Sequence, residues 1–182
     1  MNQKQDWLQG SIDGDHRSQK ALFEQWYPYA WTVCNAYSGS REDTEEMVAD
    51  GFIRMFNNIH MYDISRPFKS WFRIILVHSA INHLKKRKDF YQFLDDGINL
   101  PVAEADAISN LAYNELVDSI RHLPPVYRSV MVLYALEGWS HAEIADELNI
   151  AESTSRSNLT RARSYLTKWI KTNYKEKIIN HG

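Results

Sequence analysis

The sequence contains a single cysteine, Cys34, so no disulfide can form within the chain. Its cysteine and histidines have none of the spacings of a zinc site. A glycine-rich phosphate loop and the common nucleophile–base signatures are missing as well. These absences argue against a disulfide-rich secreted domain, a zinc protein and the usual classes of enzyme. We therefore predict no catalytic residue, no metal and no cofactor.

Long apolar runs are also missing. The longest purely aliphatic run, Ile74–Val77, is far too short to cross a membrane. Residues 1–15 lack the apolar core of an export signal. We therefore expect a cytoplasmic protein without membrane insertion, in which the lone Cys34 is a buried apolar side chain.

The chain has no overall basic excess, because 21 Lys and Arg face 23 Asp and Glu, for a formal net charge of −2. An independent binder of duplex DNA usually carries such an excess, since phosphate neutralisation dominates its affinity. The charges are segregated, however. Only basic charges lie between Arg66 and Lys88, only acidic ones between Asp89 and Asp118, and mostly basic ones from residue 153 to residue 177. This pattern predicts two DNA contacts joined by an acidic connector, with a partner adding affinity.

The last third of the sequence has the pattern of a helix-turn-helix. An apolar helix after a Pro-Pro pair is followed by a capping box, Ser140 with Glu143. The short helix that this box begins can end at Asn149, which tolerates a left-handed conformation. A longer helix is predicted from near Ser153 to Ile170. A short capped helix, a tight turn and a longer helix are typical of DNA-binding proteins.

One side of the longer helix is predicted to pack inward, through Ser155, Leu159, Ala162, Leu166 and Trp169. Its other side is rich in hydroxyls and arginines, and Ser164 is one of these hydroxyls. Both side-chain types bond to phosphates and base edges. The alternative is an ordinary amphipathic helix with a solvated basic face, and the capped helix upstream favours DNA binding. The candidate DNA contacts are Ser153, Thr154, Arg156, Ser157, Asn158, Arg161 and Arg163.

Three helices are predicted in the first half, over residues 15–38, 40–59 and 67–88, with a kink or break at Pro28. The aromatic side chains of the first helix are more typical of a core than of a binding site. In the loop before the third helix, His60, Tyr62 and Phe68 offer either stacking faces for bases or a small loop core. The four consecutive basic residues Lys85–Lys88 favour a phosphate contact over simple compensation of the helix dipole.

These patterns predict an all-α fold with two small helical domains joined by a flexible linker, the C-terminal one a helix-turn-helix. A further helix over 109–122 is predicted to lead into the second domain. The predicted divisions are a tail (1–14), a first domain (15–90), a linker (91–110), a second domain (111–172) and a tail (173–182).

The second domain resembles the promoter −35 recognition domain of bacterial RNA polymerase sigma factors of the extracytoplasmic-function (ECF) type, in the sigma-70 family. That family tends to have L-P-P, E-G, S-x-x-E-I-A and T-V-K-S-R-L-x-R-A-R. The counterparts here are Leu123–Pro125, Glu137-Gly138, Ser140–Ala145 and Thr154–Arg163. The resemblance implies that 111–172 is sigma region 4, and that the candidate contacts above face the −35 element.

The segment Asp43–Phe56 resembles the region 2 helix D-A-E-D-L-V-Q-E-V-F-L-R-L-W, which in the family docks on the clamp helices of the largest polymerase subunit. The matching residues, and hence the implied polymerase contacts, are Asp50, Phe52, Ile53 and Arg54. The resemblance thus makes 15–90 sigma region 2.

Pro67–Leu84 resembles the family's P-F-R-x-W-L-x-x-I-A-x-N-x-A-x-D-x-L, which faces the −10 element. In the family, the loop before this helix catches an unstacked promoter base. The implied −10 contacts are Tyr62, Phe68, Lys69, Trp71, His78, Asn82, Lys85, Lys86 and Arg87.

Four departures from the family pattern carry expectations. Ser155 replaces an apolar residue and should loosen packing, and Asn158 replaces a basic residue and should change a DNA contact. Ala49 replaces a glutamine and removes a polar contact with polymerase. Gly51 replaces an apolar residue and costs the helix roughly 1 kcal/mol relative to alanine.

The resemblance implies an alternative sigma factor that binds core RNA polymerase, recognises −10 and −35 elements and directs transcription of a specific gene set. Implied partners are the clamp helices of the largest subunit, the flap of the second-largest subunit, promoter DNA and an anti-sigma factor. Two other classes stay open at this point. A stand-alone helix-turn-helix regulator would bind a palindrome without polymerase, and an enzyme would need a site that the residues do not indicate.

Overall fold

The computed structural model describes the backbone of residues 3–90 and 119–179, and the side chains of residues 7–90 and 119–173. Within these ranges the regular elements are all helical, which confirms the predicted all-α fold. The α-helices are α1 (Gln3–Ile12), α2 (His16–Tyr37), α3 (Arg41–Asn58), α4 (Phe68–Lys85), α5 (Pro125–Ala135), α6 (His141–Leu148) and α7 (Glu152–Ile179), with a 3-10 turn at Ile59–Met61.

The chain divides into two compact units, Met1–His83 and Leu84–Gly182. The predicted linker, 91–110, and all but the end of the helix predicted over 109–122 lie outside the described residues.

Two features at the start of the first unit differ from the sequence prediction. A tail is predicted before residue 15, whereas the structure has α1, with Leu8 and Ser11 buried. A kink or break is predicted at Pro28, and there is no break, because α2 runs through this residue without interruption. Pro28 is exposed, so water can solvate the carbonyl that loses its helical N–H partner. The weak apolar pattern of α1 explains why this helix is not predicted from the sequence.

The core of the first unit is formed where α2, α3 and α4 pack together. Its largest fully buried side chains include Tyr37, Met47, Phe72 and Leu76. Cys34 is buried here as predicted, and burial raises the pKa of its thiol to about 12. A thiol with so high a pKa is an inert core group rather than a nucleophile.

Gly51 is explained by the close approach of α3 to α4. A Cβ atom at this position would lie 2.6 Å from Cδ2 of Leu76, closer than real Cβ contacts come. Leu76 is itself fully buried, so its side chain cannot swing into solvent. The helix therefore tolerates the low propensity of glycine because a side chain here would crowd the buried side chain of Leu76.

Gly51→Ala is expected to lower the free energy of unfolding of the first unit by about 1 kcal/mol. Overpacking costs about 1–3 kcal/mol, whereas alanine returns only about 1 kcal/mol of helix propensity. Urea unfolding followed by tryptophan fluorescence measures the difference. The control is the same change in a Leu76→Val background. The shorter valine leaves space for the added methyl group, so alanine should raise the free energy of unfolding there. Stabilisation by Gly51→Ala in the natural background would contradict the packing argument.

The second unit contains the predicted helix-turn-helix with its local signals in place. Ser140 and Glu143 form the reciprocal capping box that begins α6. Asn149 ends this helix in the left-handed conformation with φ 54°. Gly138, with φ 75°, has the positive φ expected in the preceding turn. Buried apolar side chains from all three helices, Leu133, Ile144, Leu148, Leu159 and Leu166, form the core.

A polar anchor at the start of α5 was not foreseen from the sequence. Arg128 is buried, and its Nη2 donates hydrogen bonds to the carbonyl oxygens of Arg121 and Leu123, each at 2.8 Å. These bonds satisfy carbonyls just before the helix. They fix the segment through which the chain enters the helix-turn-helix.

Candidate nucleic-acid and polymerase interfaces

The first half of α7 has an outward face of hydroxyls and arginines. Ser153, Arg156 and Arg163 are exposed, and Thr154, Ser157 and Arg161 are half-buried. On the other side, Ser155, Leu159, Ala162 and Leu166 are buried and Trp169 is half-buried, as the sequence predicts. These six outward residues form the recognition face.

Two arginines of the recognition face have partners that orient them. The guanidinium of Arg156 pairs with the carboxylate of Glu152 one turn earlier, and both side chains are largely exposed. Arg163 lies over the ring of Tyr134 on α5, with 5.9 Å between the guanidinium carbon and the ring centroid. An exposed ion pair contributes at most about 1 kcal/mol to stability, so a phosphate can displace Glu152 at little cost.

Two residues predicted to face outward are instead buried. Asn158 is fully buried, and Ser164 is also buried. Asn158 follows the inward-facing Ser155 by three positions, which places both on the same side of the helix. The recognition face therefore excludes Asn158 in this conformation and ends before Ser164.

The buried amide of Asn158 is poorly satisfied. Its Oδ1 accepts a long hydrogen bond of 3.5 Å from Nη1 of Arg161. Its Nδ2 has no hydrogen-bond partner among the described residues. A buried donor without a partner costs about 1–3 kcal/mol.

Asn158→Leu is expected to raise the free energy of unfolding of the second unit by about 1 kcal/mol, because leucine has the same branched shape without the unsatisfied donor. Thermal unfolding measures this gain. If Asn158 is a core residue, promoter affinity should stay within twofold of the natural chain. If Asn158→Leu lowers promoter affinity and does not stabilise the second unit, Asn158 is a DNA contact after all.

Ser155 also differs from expectation. It is buried, and instead of leaving a loose contact its Oγ lies 2.9 Å from Nδ1 of His141 on α6. His141 in turn stacks on Tyr134, with ring centroids 4.8 Å apart and planes at 21°. A polar link thus replaces an apolar contact between the two helices of the motif.

The residues predicted to face the −10 element follow one side of α4. Trp71, His78, Asn82 and Lys85 have helical spacing and are half-buried. Lys69 and Lys86 are exposed, and Nζ of Lys69 lies 5.1 Å from the ring centroid of Tyr29. Arg87, just after the helix, is held by Asp89 through two hydrogen bonds of 3.0 Å. The basic end of α4 is therefore only partly available for phosphates.

An aromatic cluster joins the loop before α4 to the core of the first unit. Tyr62 is buried, with its ring centroid 5.4 Å from Phe68 and 5.0 Å from Trp71. Its hydroxyl donates to the carbonyl oxygen of Arg66, and burial raises the pKa of its phenol. Tyr62 is thus part of a loop core rather than a free stacking face, whereas Phe68 and Trp71 are only half-buried.

The predicted polymerase contacts on α3 separate into two groups. Phe52 is buried, and its ring lies 4.5 Å from that of Phe23 and 5.1 Å from that of Phe72. Ile53 is 58% exposed, and Asp50 and Arg54 beside it are half-buried. Phe52 is therefore a core residue, and the outward side of α3 is formed by the other three.

The described residues contain no helix with both the length and the apolar character needed to cross a bilayer. They also bring no three His, Cys, Asp or Glu side chains together as a metal site requires.

Two family models match the chain in the order of its two units. The model "Sigma-70 region 2" matches residues 22–90, and the model "Sigma-70, region 4" matches residues 113–166. The chain belongs to the sigma-70 family. Sigma factors are non-enzymatic subunits of RNA polymerase, so the enzyme alternative is excluded. The match of the first half to region 2 also excludes a stand-alone regulator with a sensor or dimerisation half.

Curated relatives place this sigma factor with the ECF type. The ECF RNA polymerase sigma factor SigW of Bacillus subtilis (strain 168) is 28% identical over 175 residues, covering 87% of this chain and 91% of that protein. The ECF RNA polymerase sigma factor SigM of Mycobacterium tuberculosis (strain ATCC 25618 / H37Rv) is 23% identical over 161 residues, covering 88% and 81%. The resemblance stated from the motifs is thereby confirmed.

A solved structure is also similar to this sigma factor. It is the co-crystal structure of the sigma factor RpoE in complex with the anti-sigma factor NepR from Bartonella quintana. The TM-score is 0.49 at 19% sequence identity, with 84% of this chain and 96% of that chain covered.

Sequence reasoning missed two exposed apolar side chains of this sigma factor. Met61, in the loop before α4, is 71% exposed, and Ile74, on α4, is 56% exposed. Such residues are predicted to be in the core because the sequence shows that a side chain is apolar but not in which direction it points. The 3-10 turn at Ile59–Met61 directs Ile59 inward and Met61 outward, which only the backbone reveals.

Proposed function

We propose that this alternative ECF sigma factor divides its contacts among three surfaces. The recognition face of α7 binds the −35 element. The outward side of α4, with Phe68 and Trp71, binds the −10 element. The outward side of α3 around Ile53 binds the clamp helices of the largest polymerase subunit. The observation that carries the proposal is the capped helix-turn-helix, with the arginines and hydroxyls of the recognition face outward on its longer helix.

The chemistry of the recognition face supports base and phosphate contacts together. Arg156, Arg161 and Arg163 are spread over two turns, so they span several nucleotides of a groove. Arginines donate in pairs to guanine edges, and serine and threonine hydroxyls bond to phosphates and bases. Asn158 and Ser164, which are buried, take no part.

The charge balance supports dependence on polymerase. A net charge of −2 gives little attraction for duplex DNA as a whole. The basic residues are concentrated on α4, at its end and on α7, so each unit would hold DNA only locally. Core polymerase would supply most of the backbone contacts and the catalysis, and the sigma factor would supply the choice of start site.

The remaining partners belong to the same proposal. The flap of the second-largest subunit would hold region 4, and an anti-sigma factor would compete with polymerase for the sigma factor. The protein would act in the cytoplasm, where polymerase and promoter DNA are found.

Reconstituted transcription tests the proposal. The purified chain is mixed with core polymerase and fragments of the host genome, and transcript 5′ ends are mapped. Starts that share two spaced upstream elements, and that are absent without the chain, are the expected result. Protection of a palindromic duplex by the chain alone, with no new transcript starts in the presence of polymerase, would contradict it.

A further inference from the structure

His141 occupies a position in the helix-turn-helix that no predicted contact uses. It is the first residue of α6, the helix that precedes the recognition helix. Its ring is held on two sides, by stacking on Tyr134 and by the contact of Nδ1 with Oγ of Ser155. Among the described residues, Nε2 has no hydrogen-bond partner. The ring is half-buried, so it is fixed in place without being sealed from solvent.

The groups that face His141 are mainly cationic. From α7, Arg156 and Arg163 both disfavour its protonated form, and Glu152 favours it. From α5, the neighbour is the ring of Tyr134, which also lies under Arg163. On α6 itself, Glu143 is engaged in the capping box with Ser140. Burial first, and then these arginines, lower the pKa of His141 below its ordinary value.

A DNA phosphate would reverse this electrostatic field. In helix-turn-helix complexes, the helix before the recognition helix crosses the DNA backbone. A phosphate that bonds to Arg156 or Arg163 brings negative charge to the same place as the imidazole ring. The free Nε2 then gains an acceptor, and the charged form of the ring becomes favourable.

We propose that His141 is a further contact to promoter DNA, whose imidazolium binds a backbone phosphate beside Arg156 and Arg163. The proposal rests on the proposed function of the recognition face. It implies that binding of the −35 element is coupled to uptake of one proton. His141 is neutral in the free protein near neutral pH and protonated in the complex.

The sign of the pH dependence follows from this coupling. The pKa of His141 is lowered in the free protein and raised by the phosphate. The extra affinity is fully present below the lower pKa of the free protein and is lost as the pH rises through the higher pKa of the complex. Each unit between the two pKa values corresponds to a tenfold change in affinity. Promoter binding should therefore strengthen as the pH falls through the range in which histidine titrates.

The test measures binding of holoenzyme to a duplex promoter fragment obtained from the mapped start sites. Affinity is determined between about pH 6 and pH 8, the titration range of histidine, for the natural chain and two variants. His141→Gln keeps a polar group for Ser155 but cannot be protonated. His122→Gln is the matched control, because His122 also stacks on an aromatic ring, that of Trp169 at 4.6 Å, in the same unit.

The expected result is an affinity about tenfold stronger at the acidic end for the natural chain and for His122→Gln, with most of that difference lost in His141→Gln. At the acidic end, His141→Gln should also reduce the slope of log affinity against log salt by about one phosphate contact, and it should not do so at the alkaline end. A role confined to packing would lower affinity equally at every pH and leave the salt slope unchanged.

Two outcomes would overturn the proposal, and they differ. If the natural chain and His141→Gln share the same pH and salt dependence on a mapped promoter, the assignment of His141 is wrong and the proposed function stands. If holoenzyme initiates at no mapped start, the proposed function itself fails, and the assignment of His141 fails with it.

Discussion

The double variant Arg156→Ala/Arg161→Ala is expected to weaken binding of the −35 element about a hundredfold while core polymerase binds as before. A bidentate contact of an arginine with a base contributes about 1–3 kcal/mol of discrimination, so loss of two contacts reaches this magnitude. Gel-shift titration of holoenzyme on a promoter fragment measures the loss. Co-purification with core polymerase measures what is retained.

The two arginines are suitable for truncation because neither supports the fold strongly. Arg156 is exposed and pairs with the exposed Glu152, a type of pair that contributes about 0–1 kcal/mol. Arg161 makes a long contact of 3.5 Å with Asn158. Lys168→Ala is the matched control, since Lys168 is an exposed cation on the same helix but lies beyond the recognition face. Equal losses of polymerase and promoter binding in the double variant would refute the division of labour between the surfaces.

The bounds of α2, α3 and α6 were well predicted because their signals are local. The capping box of Ser140 with Glu143 and the left-handed Asn149 involve residues a few positions apart, and both occur as expected. A hydrogen bond from a side chain to the backbone of the same turn does not depend on the rest of the fold. The end of α7 was less predictable. The helix was expected to end at Ile170, yet it continues to Ile179.

The orientation of residues at the edge of a helical face was predicted less well. Phe52, Tyr62 and Asn158 were expected at an interface and are buried. A helical pattern gives the direction of a side chain only within a broad sector, and the neighbouring helix decides which residues of that sector are covered. Family motifs do not show which residues are buried either, because a motif gives the residue type at a position and not whether that residue packs in the core or contacts a partner. Phe52 matches the family's polymerase-binding helix, but here it packs between Phe23 and Phe72.

Contacts between distant segments could not be predicted at all. The closeness of Gly51 to Leu76 depends on how α3 and α4 cross, and the contact of His141 with Ser155 depends on the turn between α6 and α7. From the sequence, Gly51 and Ser155 were departures that should weaken the structure. In the structure, each is matched by a partner on the adjacent helix.

Ile53→Asp is expected to lower the affinity for core polymerase at least thirtyfold without unfolding the first unit. An apolar anchor at the centre of an interface typically contributes about 2 kcal/mol or more, which corresponds to that factor. A buried carboxylate opposite an apolar surface would add a desolvation cost. In the free protein Ile53 is 58% exposed, so the change should alter stability by less than about 0.5 kcal/mol. Competition with a labelled sigma factor for core polymerase measures the affinity.

The matched control for this prediction is Ile74→Asp. Ile74 is 56% exposed, as an apolar residue on the neighbouring helix α4, but it lies outside the outward side of α3. Its aspartate variant carries the same added charge and the same surface change, so polymerase binding should stay close to that of the natural chain. Phe52→Ala is the wrong test, because removing a buried phenylalanine costs about 3–5 kcal/mol of folding free energy. Similar losses for Ile53→Asp and Ile74→Asp would show that general charge, rather than an anchor on α3, governs binding to polymerase.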